Sequence, residues 1–299
     1  MKAIIGAVVL AAAFAFAILI VVAAWKRPSH DRAWTPYLAR LSGVDLYGDG
    51  FRIEHISDWT YPTKVLPQAN WRSDNYMIAD LDRIWLAVEP FPAMPTLMGH
   101  TLLIFQFRGG RLLGLTIEAR KEANENYSVF AGALNKFELI YLWGTARDFL
   151  TRRAVFLDHE IEIYPLSLTQ TEREQILQTL LERTIDVESK PRFYNTLRSN
   201  CTNELAKATS LPWSSAYVLT GRAAKHLHEK GYIPGGSDFP EIRSRAQSTK
   251  AIIERSELGA AAFDRSLTDW LGMRWSEGSE QEIQTDSTKT IKGESIDGQ

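Results

Sequence analysis

The chain has 299 residues, of which 45% are hydrophobic and 23% are charged, and its formal net charge is −2. This composition excludes a wholly disordered, collagen-like or multi-spanning membrane chain, and so balanced a charge offers no basic face for nucleic acid. The single cysteine, Cys201, excludes a disulfide framework and a cysteine-based zinc site. Dinucleotide, phosphate-loop and serine-elbow motifs are also missing, so we expect neither a cofactor nor a metal.

The chain begins with a long apolar segment. Ala3–Trp25 comprises 23 consecutive uncharged residues, and a helix of that length spans about 35 Å, enough to cross a bilayer. A cleavable signal peptide has a shorter apolar core of about 7–15 residues and a small-x-small cleavage site. We therefore predict an uncleaved transmembrane anchor over residues 1–26, bound to the membrane by residues 3–25, with a signal peptide as the alternative. Basic residues flank both ends of the segment, so charge leaves its orientation open.

A polar stretch, residues 27–40, is interpreted as a tether between the anchor and the folded part of the chain. Three short strands are predicted after it, because apolar and polar residues alternate there. Gly48–Gly50 predicts a hairpin turn between the first two strands. The predicted strands are Asp45–Tyr47, Phe51–Ile56 and Ile84–Val88.

The clearest strand signal is a hairpin of Thr101–Phe107 and Arg111–Ala119, joined by Arg108–Gly110. A three-residue loop sets a register in which the apolar residues of the two strands share one face. In that register His100 lies directly opposite Glu118. Cross-strand neighbours have Cβ atoms about 4.5–5.5 Å apart, so the register predicts a hydrogen bond between this imidazole and this carboxylate.

The second half of the chain is predicted to be mostly helical. A helix is expected over Thr171–Asp186, since Thr171 and Glu174 form a capping-box pattern and apolar residues recur at helical spacing. Residues 276–299 contain six acidic residues and two lysines, which predicts a disordered tail and leaves residues 27–275 as one domain. The remaining predicted elements are the strands Phe137–Trp143 and Glu160–Pro165 and the helices Ser215–Gly231 and Glu241–Arg255.

Cys201 lies in a sequence that favours a reactive thiol. Ser199 or Asn200 is a good helix N-cap, so Cys201 should lie in the first turn of a helix that continues to Ala208. A helix N-terminus lowers the pKa of a thiol, and a neighbouring imidazolium lowers it further. The alternative is that Cys201 is a small buried core residue.

The second member of such a site must be a histidine from elsewhere in the chain. Of the six histidines, His100 alone begins an apolar strand with a carboxylate opposite it, whereas His159 lies in a charged loop. The resulting hypothesis is a triad of Cys201 as nucleophile, His100 as base and Glu118 as the carboxylate that orients the imidazole.

Five segments, in this order, resemble the bacterial Lnb N-terminal periplasmic domain family, over roughly residues 28–260. They are His100–Phe107, Thr116–Glu122, Phe137–Tyr141, Ile163–Leu166 and Phe193–Thr202. The order of histidine, acidic residue and Asn-Cys is also similar to circularly permuted papain-like proteins, including NlpC-type hydrolases and relatives of lecithin retinol acyltransferase. The resemblance implies an α+β, circularly permuted papain-like domain, an antiparallel sheet with packed helices, behind a single transmembrane helix.

The resemblance also implies a set of site residues. Cys201 and His100 form the catalytic pair, and Glu118 takes the third position by strand register. The supporting residues are Asn200, Thr202, Arg120 and Tyr194, of which Thr202 contributes a backbone N–H to the oxyanion site and Arg120 is a substrate or structural contact.

The activity implied by the family is lipoprotein N-acylation, in which an acyl chain moves from a phospholipid to the amino group of a lipoprotein's first cysteine. The expected partners are therefore a phospholipid, a lipoprotein or both, and the expected location is the inner membrane, with the domain in the periplasm. Two alternatives stay open: a cell-wall peptide or amide hydrolase with the same Cys-His pair, and a catalytically silent binding or scaffold module. The oligomeric state stays open too.

Overall fold

A computed structural model of the protein describes residues 27–62, 66–209, 218–236 and 238–292, together with residues 5, 6, 10, 14, 214 and 216. Side chains of the last helix are described as far as Ser276. The predicted anchor, residues 1–26, lies outside the described residues apart from four positions. Among the described residues, no helix has the length and apolar character needed to cross a membrane.

A mixed sheet of eight strands is the centre of an α+β fold. Its order is β1-β2-β7-β6-β5-β4-β8, with β3 paired to β2. Among the described residues, the β2–β7 contact is the one parallel pairing. The strands are β1 Val44–Tyr47, β2 Gly50–Ser57, β3 Trp71–Met77, β4 Leu81–Pro90, β5 Gly99–Phe107, β6 Arg111–Arg120, β7 Glu138–Gly144 and β8 Glu162–Pro165.

Seven of these strands are predicted from the sequence to within a few residues. The predicted register of the β5–β6 hairpin is confirmed, since Leu102 pairs with Thr116 and Phe107 with Arg111 around the three-residue turn. Strand β3 was missed because most of its residues are polar, and Tyr76 is its one buried residue.

The helices lie on both faces of the sheet, so its central strands are apolar on both sides. Helix α3 covers one face, where Cys201 also lies, and α8 covers the other. The helices are α1 Val129–Ala133, α2 Ala146–Thr151, α3 Gln170–Ser189, α4 Cys201–Ala206, α5 Ala223–Glu229, α6 Phe239–Ala246, α7 Thr249–Ile253 and α8 Ala260–Lys292.

Several predicted helices need correction. The capping box of α3 is formed by Thr169 and Glu172, not by Thr171 and Glu174, because the helix starts one residue before Thr171. Helix α4 ends at Ala206, short of Ala208.

The two later helices also differ from their predicted bounds. Of the helix predicted over Ser215–Gly231, the described part forms α5 and a preceding 3₁₀ turn, and the helix predicted over Glu241–Arg255 is split into α6 and α7. The predicted helix Glu241–Arg255 is interrupted at Ser248, because the backbone N–H of Ser248 donates to the carbonyl of Ile161 instead of to a carbonyl of the helix. Helix α8 was not predicted, and disorder over residues 276–299 stays a prediction.

Residues 27–40, the segment interpreted as a tether, pack on the domain. Tyr37 and Leu38 are buried. The guanidinium of Arg120 donates to the carbonyls of Leu38 and Ala39 at 2.9 and 2.8 Å and lies 4.2 Å from the centre of the Trp34 ring. Arg120 therefore fastens this segment, called here the N-terminal strap (residues 27–40), to strand β6.

Helix α2 is held against the sheet by Phe149, whose ring lies over two glycines. Gly114 and Gly144 are paired across β6 and β7. A Cβ atom at either position would lie 2.6 or 2.4 Å from the Phe149 ring. Only glycine leaves room for this ring, and the ring fixes the chain that continues into Arg152 and Arg153.

We predict that Gly144→Ala lowers the free energy of unfolding by about 1–3 kcal/mol, because the added methyl group overpacks the contact with Phe149. Urea denaturation of the full-length protein, followed by tryptophan fluorescence, measures this change. Gly272→Ala is the matched control: a Cβ there meets nothing within 4 Å, and alanine in a helix is favoured over glycine by about 1 kcal/mol. Equal effects of the two substitutions would contradict the proposed role of the glycines.

Candidate active site

The candidate nucleophile begins a short helix that packs on strands β5 and β6. The side chain of Asn200 accepts the N–H of Asn203 at 2.8 Å and forms the N-cap, so Cys201 is the first residue of α4. Both predictions, the N-cap and the first-turn cysteine, are confirmed. The Cys201 side chain is buried, with 4% of the residue exposed.

The candidate base is placed by the β5–β6 hairpin. Nε2 of His100 lies 3.2 Å from Oε1 of Glu118 and donates to the hydroxyl of Thr116 at 2.6 Å. That hydroxyl in turn donates to Glu118 at 2.9 Å. The predicted contact between the imidazole and the carboxylate is therefore present. Because Nε2 is engaged on this side, Nδ1 is the ring nitrogen left for Cys201.

Cys201 and His100 interact electrostatically. Burial acts to raise the pKa of the Cys201 thiol, but the His100 imidazolium and hydrogen bonds from His100 and Thr101 outweigh it, lowering the pKa to about 7. Burial acts to lower the pKa of His100, but the Glu118 carboxylate and the Cys201 thiolate outweigh it and raise the pKa to about 10. The arrangement favours a thiolate–imidazolium pair near neutral pH.

A buried arginine extends this pair. Nη2 of Arg153 lies 3.1 Å from Glu118 and Nε lies 2.8 Å from Glu89. The other oxygen of Glu89 bonds to Nδ1 of His159. Glu89 on β4 also stands opposite His100 on β5. We call Cys201, His100, Glu118, Arg153, Glu89 and His159 the charge chain, because its ionisable groups contact one another in that order.

Three members of the charge chain were not predicted as site residues. The predicted strand ends at Val88, one residue before Glu89. The pairing of Glu89 with His100 cannot be predicted without knowing that β4 lies next to β5 in the sheet. The sequence places His159 in a charged loop, where no local pattern marks it as a site residue. Arg153 lies in a π-helical turn, Arg152–Phe156, that continues α2, and no sequence pattern pointed to it.

The charge chain borders a cavity of about 380 Å³. The strap contributes Tyr37 and Leu38 to its wall, and the end of β6 contributes Lys121. Both polar and apolar side chains complete the wall, and Arg152, Thr35 and Thr220 are among the polar ones. The other apolar lining residues include Phe91, Met98, Ile117, Tyr127, Leu157 and Tyr194.

The four supporting residues have different roles in the structure. Asn200 caps α4, Tyr194 lines the cavity, and the Thr202 hydroxyl lies 2.9 Å from the Thr101 hydroxyl. Arg120 holds the strap and, like Thr202, does not line this cavity. The contacts that the structure gives Arg120 are therefore structural.

A second, smaller pocket of about 80 Å³ adjoins the site behind Thr101 and Thr202. It lies between the sheet and helices α3, α4 and α5, and most of its lining is aliphatic. The aliphatic lining residues include Leu86, Leu103, Leu166, Leu168, Ile176, Leu205 and Leu227. An apolar space therefore begins next to the first turn of the cysteine helix.

Comparison with known proteins adds one match. Residues 67–216, half of the chain, match the model of the Lnb N-terminal periplasmic domain. The matched stretch contains all six members of the charge chain, whereas the strap lies before it. Neither the curated proteins nor the solved structures gave a match to the chain.

We predict that iodoacetamide alkylates Cys201 with a rate that rises through a pKa of about 7 and levels off above it, because the thiolate is the reacting form. In His100→Ala the burial of the thiol is no longer opposed by the imidazolium, so the rate should still be rising above pH 9. Mass spectrometry of the full-length protein over a pH series measures both profiles.

Two variants make this measurement specific. Cys201→Ser removes the one thiol of the chain and should give no label. His228→Ala removes an imidazole that bonds to the Ile233 carbonyl outside the cavity, and it should leave the profile unchanged. Identical profiles for the wild type and His100→Ala would overturn the thiolate–imidazolium pair.

Proposed function

The chain belongs to the Lnb N-terminal periplasmic domain family, and on that premise we propose that it is a membrane-anchored, cysteine-dependent acyltransferase of the cell envelope. The observation that carries the proposal is the grouping of Cys201, His100 and Glu118 at one cavity. The proposed reaction passes an ester-linked acyl chain of a phospholipid or lipoprotein to an amine through an acyl-thioester on Cys201.

We propose that the fold is a circularly permuted papain-like domain. In such a domain a cysteine at the start of a helix faces a histidine on an antiparallel sheet, and the histidine comes first in the chain. The positions of His100 at the start of β5 and Cys201 at the start of α4 support this assignment.

In the first step, the thiolate of Cys201 attacks the ester carbonyl of the acyl donor. The carbon–oxygen bond of the ester breaks, and the leaving alkoxide takes the proton of the His100 imidazolium. The products are an acyl-thioester and an alcohol. Glu118 keeps the imidazole oriented throughout, since its contact is with Nε2.

Two backbone N–H groups at the start of α4 are placed to stabilise the negative oxygen that forms during the attack. The Asn200 side chain caps the N–H of Asn203, so the N–H groups of Cys201 and Thr202 have no acceptor among the described residues. They are the candidates for the oxyanion site.

In the second step, an amine attacks the thioester carbonyl and the carbon–sulfur bond breaks. The amine proton passes to His100, which restores the thiolate–imidazolium pair. Water in place of the amine would make the protein a hydrolase. The aliphatic pocket behind Thr101 and Thr202 favours an acyl chain over a cell-wall peptide, because it offers few polar groups to a peptide.

The predicted anchor fits this substrate class. Tyr37 lies in the cavity wall only eleven residues after the end of the anchor at residue 26. A fully extended chain spans at most about 3.5 Å per residue, which limits the distance from the membrane end of the anchor to the cavity to about 38 Å. The proposed enzyme would thus keep its site near lipid substrates on the periplasmic side of the inner membrane.

We predict that the full-length protein, mixed with a phospholipid acyl donor and no amine, accumulates an acyl group on Cys201 that hydroxylamine removes. Cys201→Ser should form none. His100→Ala should slow the first turnover by about a hundredfold or more, because general acid–base catalysis contributes about 10²–10⁴-fold. Intact-protein mass spectrometry follows the added mass over time.

The competing functions give different results in the same assay. A cell-wall hydrolase would release peptides from muropeptides and show no lipid-derived mass on Cys201. A silent binding module would do neither, and Cys201→Ser would retain full function in cells that lack the native gene. Either result would overturn the proposed acyl transfer.

A further inference from the structure

The catalytic cavity has two cations that the charge chain does not neutralise. Arg152 and Lys121 both line it, and within the described part of the chain neither has a carboxylate within 4 Å. Every other charged group of the cavity wall has an opposite partner in the charge chain. The free cavity therefore carries an excess of positive charge.

Arg152 is held in place by aromatic rings instead of by a carboxylate. Its guanidinium lies 4.0 Å from the centre of the Tyr37 ring and 5.8 Å from that of Phe156. Asp148, one turn earlier on the same helix, is fully occupied: it accepts bonds from Ser57, from the N–H of Trp59 and from Tyr61. The N–H donors of the Arg152 guanidinium are therefore available to a ligand.

A third donor in the same cavity wall has no acceptor among the described residues. Tyr37 is 92% buried and lines the cavity, and its hydroxyl has no hydrogen-bond partner among the described residues. Burial and the Asp148 carboxylate raise the pKa of this hydroxyl, so it stays protonated and can donate. A buried hydroxyl without a partner is unfavourable, which points to a ligand that accepts its hydrogen bond.

We propose that Arg152, Lys121 and the Tyr37 hydroxyl form a subsite for the phosphodiester of a glycerophospholipid, placed in the same cavity as Cys201. A phosphodiester has one negative charge and several acceptor oxygens, which matches two cations and one neutral donor. Its ester-linked acyl chains are joined to the same glycerol, so binding the phosphate presents an acyl ester to the thiolate.

This inference rests on the proposed function and assigns residues of this chain to the headgroup of the phospholipid donor that the family resemblance implies. The diacylglyceryl group of a lipoprotein has no phosphate, so it would leave the subsite empty.

The first test measures binding, so it does not depend on turnover. Full-length Cys201→Ala in a nonionic detergent is titrated with dihexanoyl phosphatidylglycerol, dihexanoyl glycerol and glycerol 3-phosphate by calorimetry. We expect the phospholipid to bind at least about tenfold more tightly than either of the others, because only it supplies both the phosphate and the acyl chains. Equal binding of dihexanoyl glycerol overturns the phosphate subsite, and equal binding of glycerol 3-phosphate overturns the assignment to a lipid.

The second test uses variants of the three donors. Arg152→Met and Lys121→Met should each weaken phospholipid binding by about tenfold and raise the KM for the phospholipid donor more than they lower kcat. Arg108→Met is the matched control, since Arg108 lies at the opposite end of β5, is 75% exposed along its side chain and pairs with Asp80; it should change neither value.

Tyr37→Phe separates a ligand contact from a structural one. The substitution removes a hydroxyl that is unpartnered in the free protein, so the free energy of unfolding should stay equal or rise. Phospholipid binding should still weaken. Unchanged binding in both Tyr37→Phe and Arg152→Met overturns the subsite. Failure of the proposed function has a different signature: no acyl-thioester forms with any donor, even where the binding results hold.

Discussion

The rest of the site depends on the contacts that the buried guanidinium of Arg153 makes with two carboxylates. Its Nη2 and Nε donate to Glu118 and Glu89, and Nη1 donates to the Phe149 carbonyl. Glu89 is buried, and removing one partner of a buried ion pair destabilises a fold by about 3–5 kcal/mol. The charges of His100 and Arg153 together hold the pKa of Glu118 well below its usual range, so Glu118 stays ionised beside the imidazolium of His100. The proposed reactivity of Cys201 thus depends in part on an arginine that does not touch it.

The position of Arg153 follows from packing at the other end of its helix. The Phe149 ring lies against Gly114 and Gly144, which fixes α2 on the sheet. The π-helical turn that follows then carries Arg152 and Arg153 into the cavity wall. The two side chains leave this turn in different directions: Arg153 contacts the carboxylates, and the Arg152 guanidinium lies over the Tyr37 ring. Local backbone geometry therefore gives one of two neighbouring arginines a structural role and leaves the other for the proposed binding role.

The parts of the site that sequence predicts are those set by local rules. Alternation and a three-residue turn placed His100 near Glu118, and an N-cap pattern placed Cys201 at a helix start. Arg153 and Glu89 depend on strand order and on burial of paired charges, which no local pattern encodes. Helix α8 is a different case, because Phe263, Leu267 and Leu271 are buried at a helical spacing, and that spacing is present in the sequence itself.

The strap makes the segment that follows the predicted anchor part of the site. Arg120 bonds two carbonyls of the strap, and this contact sets the position of Tyr37 against Arg152. A strap that left the sheet would remove one wall of the cavity, including the unpartnered hydroxyl. The segment that leads from the predicted anchor is thus also the segment that completes the cavity, so attachment to the bilayer and formation of the proposed lipid subsite are linked through one short stretch of backbone.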